Sequence, residues 1–229
     1  MIIIYFLCYI FNMKIIFTCL FVIVSIIHLY ASMKKDKKLR SISKVFLLPF
    51  LILIYLFSVT NGIKAFFVAA LIFSWLGDIF LIFKGHVFFA LGGIAFGLAH
   101  IFFMISYAPY IHLNETGIII MCIASLIYCL YIFFYFKDLK SFIPKPLFFP
   151  MVLYLISNAA MNCFALALFI SNPNIITGIV YFGALLFFIS DSNLFHVRFK
   201  TTENNQNHFI VMLSYIIAEY LIVLGMAII

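Results

Sequence analysis

The sequence predicts an all-α fold: a polytopic membrane helical bundle of about eight transmembrane helices, at roughly 20 apolar residues per span, with no soluble domain. Three observations carry this. Of the 229 residues, 67% are hydrophobic and only 9% are charged, whereas a soluble domain carries about a quarter charged residues. Mean hydropathy is +1.26. The apolar runs are continuous over about 20 residues, the length of a membrane-crossing helix, and do not alternate over about 10 as barrel strands do. Residues 1–229 are read as one membrane domain.

The first span is expected at 14–31, followed by a charged loop at 33–44. The second, 45–60, is broken by Asn61-Gly62. The third, 63–83, and the fourth, 87–107, are joined by Lys84-Gly85-His86, a turn so short that the two helices must be antiparallel neighbours, and Pro109 ends the hairpin. The remaining spans are 117–136, 146–170, 175–197 and 208–229, bounded by Pro144, Pro146, Pro150 and Asn172-Pro173. Pro150 belongs in a first turn or at a kink. The N-terminus has neither the basic region nor the cleavage site of a signal peptide and is kept as mature sequence, with Met13 an alternative start.

The net charge of +7 does not indicate nucleic acid, because the cations form no amphipathic or stacking surface. They report topology instead. Lys34, Lys35, Lys37, Lys38, Arg40, Lys44, Lys84, Lys137, Lys140, Lys145, Arg198 and Lys200 fall on one side, and only Lys14 and Lys64 on the other. The positive-inside rule makes the first side cytoplasmic and places both termini outside the cytoplasm.

Cys8, Cys19, Cys122, Cys129 and Cys163 all lie in apolar runs, without redox or zinc spacing, and are read as packing residues. The histidines show no H-x-x-x-H pair, so a zinc site has little support. Gly93-x-x-x-Gly97 is read as a close helix contact. Asn114-Glu115-Thr116 matches a glycosylation sequon by chance. Asp36, Glu115, Asp138 and Glu203 are read as solvated loop charges.

Three acids remain inside spans: Asp78, Asp191 and Glu219. Each costs about 2.5 to 3.5 kcal/mol at a helix centre on insertion scales, so each is expected to face the bundle interior. Asp78 precedes Lys84 by six residues and Asp191 precedes Arg198 by seven, which puts both about 9 to 10 Å inside the same boundary at 1.5 Å per residue. Two carboxyls at equal depth can meet. Their surroundings are small and polar, with Ser74 one turn before Asp78, and Ser190 and Ser192 flanking Asp191. Tyr154, Asn158 and Asn162 form a stripe at i, i+4 and i+8, Tyr215 and Glu219 another at i and i+4, and His100 stands by itself on the fourth span. Paired acids of this kind serve acid–base chemistry or hold helices together. They also occur in proton-coupled transporters, although those usually place their sites at the midplane. A non-catalytic lipid-binding protein is the third possibility.

Several blocks resemble the YhhN family, which includes transmembrane lysoplasmalogenases. They are L-G-D-I-F-L at 76–81, F-A-L-G-G-I-A-F-G-L-A-H at 89–100, G-A-L-L-F-F-I-S-D at 183–191, and Tyr215-x-x-Ala218. One departure is Glu219, where the family pattern Y-x-x-A-Q places glutamine. The resemblance implies a hydrolase that cleaves the vinyl ether bond of lysoplasmalogens to a fatty aldehyde and glycerophosphoethanolamine or glycerophosphocholine. Protonation of the vinyl β-carbon and capture of the resulting cation by water need an acid, an anion and a water, which two carboxyls supply without metal or other cofactor, as in glycosidases. Asp78 and Asp191 are the expected catalytic pair. Ser74, His100, Tyr154, Asn158, Asn162, Ser190, Tyr215 and Glu219 are expected around the substrate, with Lys84 and Arg198 at its headgroup. The expected partners are a lysophospholipid substrate and membrane lipids, and the expected location is a bacterial inner membrane.

Overall fold

The computed structural model describes residues 2–200 and 205–229, with side chains for 12–200 and 207–229. Cys8 and Glu203 therefore lie outside the described side chains. Among the described residues the chain forms α1 (Ile2–Lys34), α2 (Lys37–Leu56), α3 (Ala65–Ile82), α4 (His86–Tyr107), α5 (Glu115–Leu139), α6 (Lys145–Ser171), α7 (Ile175–Phe199) and α8 (Asn205–Ile228), with a 3-10 turn at Ala108–Tyr110 and no strand. All eight helices are long and apolar enough to cross a membrane. The chain is an integral membrane protein of the all-α class.

The largest departure from expectation is the charged stretch at 33–44. It is not a loop. α1 runs on to Lys34, Lys35 turns the chain at φ +59, and α2 starts at Lys37 because the Asp36 carboxylate accepts the Leu39 N–H at 3.0 Å. Charges do not end a helix at the membrane surface, since their heads reach water while the backbone bonds continue. The consequence is that Lys44 is carried into the bundle as part of a helix. Asp36 and Asn114 are helix caps, the latter accepting the Gly117 N–H at 2.8 Å at the start of α5. Pro150 stands one turn further into α6 than expected, because the helix begins at Lys145 and Pro146 occupies its first turn.

Neighbour relations define the architecture. α2 packs on α3, α3 on α4, α4 on α6, α6 on α7, α7 on α8, and α8 back on α2, which closes a ring of six helices. α1 covers the α2/α8 seam and α5 lies outside against α6. The Lys- and Arg-rich helix ends are the C-termini of α1, α5 and α7 and the N-termini of α2 and α6, with Lys84 in the α3–α4 turn, all at one end of the up-and-down bundle. At the opposite end the α2–α3 loop is tied to the end of α8: Thr60 N–H donates to Ala227 O at 3.1 Å and Asn61 Nδ2 to Ile229 O at 2.8 Å. Lys64, also at this end, donates to Met226 O at 3.2 Å, and burial lowers its amine below the usual lysine range.

A defect fixes the α2–α3 register. Pro49 lies inside α2 and has no N–H, so the Val45 carbonyl one turn earlier loses its helical partner. Trp75 Nε1 of α3 donates to that carbonyl at 2.8 Å. Farther along, Gly77 lets the Phe96 ring of α4 lie against the α3 backbone, where an added Cβ would stand 2.5 Å from the ring.

Two expectations about small residues are corrected. Gly93 and Gly97 make no close helix contact: a Cβ on Gly93 would meet nothing within 4 Å, and one on Gly97 only Ser157 Oγ at 3.9 Å. Cys19, Cys122 and Cys129 are exposed on the outer face and Cys163 is half-buried, so they do not pack the interior as expected. In lipid the outer face is as apolar as the core, so a thiol has no need to turn inward.

Candidate functional site

A cavity of about 710 Å³ opens at the basic end of the bundle, and both Asp78 and Asp191 line it. α3 brings Asp78 to it and α7 brings Asp191. Each aspartate is almost fully buried, 2% and 5% exposed. Their partners differ. Asp78 Oδ1 is 3.0 Å from Lys44 Nζ, and its Oδ2 accepts the Tyr215 hydroxyl at 2.9 Å. Asp191 forms no ion pair among the described residues. Its Oδ2 accepts both the Tyr154 hydroxyl at 2.5 Å and Asn158 Nδ2 at 2.6 Å. No described group donates to Asp191 Oδ1.

The α6 stripe forms a supporting ladder behind Asp191. Asn162 Nδ2 donates to Asn158 Oδ1 at 3.0 Å, and Tyr128 of α5 donates to Asn162 Oδ1 at 3.3 Å. His100 does not line the cavity. Its Nδ1 pairs with Ser157 Oγ at 3.0 Å, and its ring packs on Tyr154 and Phe187. His100 thus buttresses the residue that holds Asp191. Ser190 lines the cavity while donating to Val211 O of α8 at 2.8 Å, a bond that joins α7 to α8.

Ser74 and Glu219 are not on the cavity wall. They form a second buried polar group one turn deeper, with Ser74 beside Glu219 and Tyr107 facing it from α4. The Ser74 and Tyr107 hydroxyls and both Glu219 carboxyl oxygens lack well-formed hydrogen bonds.

The mouth is basic. Lys37, Arg40, Lys84, His86, Arg198 and His208 contribute to the cavity wall. The Arg198 guanidinium lies 4.5 Å from the Phe89 ring centroid, which places it over an aromatic wall of the cavity. Lys200 is paired with Asp138 instead, whose side chain stays exposed as a solvated charge should, although it belongs to the last turn of α5 and not to a loop. Among the described residues, no group of three His, Cys, Asp or Glu stands together to hold a metal.

Sequence reasoning did not single out Lys44, Arg40, His28 or Trp75. For the cations a signal existed: Lys37, Arg40, Ser41 and Lys44 recur at three- and four-residue spacing, one face of a helix. His28, itself on the cavity wall, pairs through Nδ1 with Ser43 Oγ at 2.9 Å, linking α1 to α2. That pair has no signature in sequence, since its members lie on different helices.

No curated protein and no solved structure matches the chain. The sequence model of the YhhN family matches residues 39–226, from the first turn of α2 almost to the end of α8, and so takes in both aspartates, Lys44, Tyr154 and Tyr215. By this match over most of its length, the chain belongs to the YhhN family.

Proposed function

We propose that the protein is a lysoplasmalogenase-like hydrolase, cleaving the vinyl ether of a single-chain alkenyl glycerophospholipid. The observation that carries this reading is the unequal setting of two aspartates on one cavity. Asp78 is held as an anion by Lys44 and Tyr215. Asp191, also on the cavity wall, has both donors on Oδ2, and Oδ1 is the oxygen assigned to carry a proton. One acid and one anion are what a vinyl ether hydrolase needs.

In this mechanism Asp191 Oδ1 gives its proton to the vinyl β-carbon, and the ether oxygen shares the positive charge of the resulting oxocarbenium ion. Asp78 and the newly ionised Asp191 stabilise that ion, while Lys44 keeps the resting site neutral overall. Water adds to the cationic carbon and returns one proton to Asp191, giving a hemiacetal. The hemiacetal collapses to a fatty aldehyde and a free glycerophosphodiester hydroxyl. The basic mouth suits the phosphodiester, with Lys84 and Arg198 as its contacts. Under the positive-inside rule this mouth faces the cytoplasm, in keeping with a bacterial inner membrane.

The test is incubation of the purified protein with choline and ethanolamine lysoplasmalogens and with acyl lysolipids, resolving aldehyde, fatty acid and glycerophosphodiester. Aldehyde released from the alkenyl lipids supports the reading. Fatty acid from acyl lysolipids, or no product from either class, rejects it. A second reading, proton-coupled transport, draws on Glu219, a buried carboxyl without a well-formed hydrogen bond. Substrate-driven proton uptake into vesicles holding the protein would favour it.

A further inference from the structure

The outer face of the bundle carries a second concavity, of about 430 Å³, between α4 and α6. Its α4 wall comes from Ala90, Gly93, Ile94, Gly97, Leu98 and Ile101, and its α6 wall includes Leu147, Phe149, Met151 and Leu153. No charged residue lines it. Its only hydroxyls are those of Tyr154 and Ser157. Both are engaged: Tyr154 donates to Asp191, and Ser157 donates to Tyr154 O at 2.7 Å. Ala90 to Ile101 spans about 16 Å at 1.5 Å per residue.

Three features distinguish this groove from the ordinary lipid-facing surface. First, its floor is glycine where helix packing does not need glycine, since a Cβ on Gly93 would touch nothing. The absence of those side chains makes the groove. Second, Leu81, Phe89, Phe96 and Leu194 line both the groove and the aspartate cavity, so the two spaces share a wall. Third, Tyr154 lines the groove and donates directly to Asp191.

We propose that this groove seats the single hydrocarbon chain of the substrate, which reaches the aspartates sideways from the bilayer at Tyr154 while its phosphate stays at the basic mouth. The inference rests on the hydrolase reading for its consequence, selection by chain length, but not for the binding itself. A chain in the groove lies along α4, and its head end comes to the wall shared with Asp78 and Asp191. An unbranched tail fits a groove bounded by Phe149 and Leu153 on one side and Leu98 and Ile101 on the other.

The experiment fills the groove from its floor and has two readouts. Gly93→Leu, with Gly93→Ala as a smaller step, places side-chain volume where nothing stands, and Ile119→Leu on the lipid face of α5 is the control. With hexadecenyl and octenyl lysoplasmalogens, the preference in kcat/KM for the long chain should fall about tenfold or more in Gly93→Leu, the effect expected of lost hydrophobic pocket contacts. It should fall less in Gly93→Ala and stay unchanged in the control. Equal losses for both chains overturn the proposal. Independently of turnover, a single-chain lysophospholipid carrying a mid-chain diazirine should cross-link to groove residues in the wild type and not in Gly93→Leu. Labelling spread over the outer face of α5, with no enrichment in the groove, also overturns it. Cross-linking in the groove without aldehyde release from any lipid would reject the hydrolase reading and leave the groove assignment standing.

Discussion

Lys44 Nζ lies 3.0 Å from Asp78 Oδ1, joining α2 to α3 inside the basic end of the bundle. Both groups are largely out of water, with side-chain exposures of 15% and 2%. Removing one partner of such a pair leaves the other charge uncompensated, which costs about 3 to 5 kcal/mol. Lys44→Met should therefore lower stability by about 3 kcal/mol, towards the bottom of that range because the pair borders a cavity. The double variant Lys44→Met/Asp78→Asn should regain most of that stability and remain inactive. Thermal unfolding in detergent, combined with aldehyde release, measures both. Full activity in Lys44→Met would contradict the role given to Asp78.

Asp78→Asn and Asp191→Asn keep volume and remove the charge or the proton. Each should fold and lose about 100- to 10,000-fold in turnover, the usual contribution of acid–base catalysis. Tyr154→Phe removes one of the two donors on Asp191 Oδ2. A hydrogen bond to a charged group contributes about 1.5 to 3 kcal/mol, so this variant should lose about tenfold or more in kcat with little change in KM. A loss below about tenfold in either aspartate variant would point to helix packing rather than catalysis.

Topology is checked with reporter fusions. Those placed after Lys38, Lys140 and Lys200 should report cytoplasm, and those after Glu115 and Ile229 should not. A cytoplasmic C-terminus would turn the basic cavity mouth to the other side of the membrane and reject the orientation.

Hydrolysis should survive exhaustive chelation, since Asp78 is paired with Lys44 and Tyr215, and among the described residues no group of three His, Cys, Asp or Glu stands together as ligands. Loss of turnover with EDTA, restored by one added divalent ion, would require the aspartates to be reassigned as ligands. Lys84→Ala and Arg198→Ala should raise KM more than they lower kcat, as expected for contacts made to the headgroup in ground and transition state alike. The reverse pattern would move the headgroup elsewhere.

Helix number, the α3–α4 hairpin and the candidacy of Asp78 and Asp191 were legible because a charge in an apolar run stands out and rise per residue is fixed. The aspartates do share one cavity. Which way each helix faces was far less legible. In water, apolar periodicity marks the core, but here Ile119 and Phe133 on the lipid face of α5 are as apolar as Leu71 and Phe67 in the interior. Polar stripes then become the only guide. They led to Tyr154, Asn158 and Tyr215, whereas the rules that bury thiols and pack glycines misled at Cys122 and at Gly93, which face outward. Lys44 was missed for a different reason: a run of cations reads as loop, although a helix can carry it through the interface.

The bond between Trp75 and the carbonyl that Pro49 leaves unpaired has a practical consequence. This is the chain's one tryptophan, it is three residues from Asp78, and its indole N–H is held by the residue next to Lys44. Its fluorescence therefore comes from a single place beside the acid pair, without labelling. Any ligand or variant that parts α2 from α3 should change its emission, while events at the far end of the bundle should leave it dark to observation.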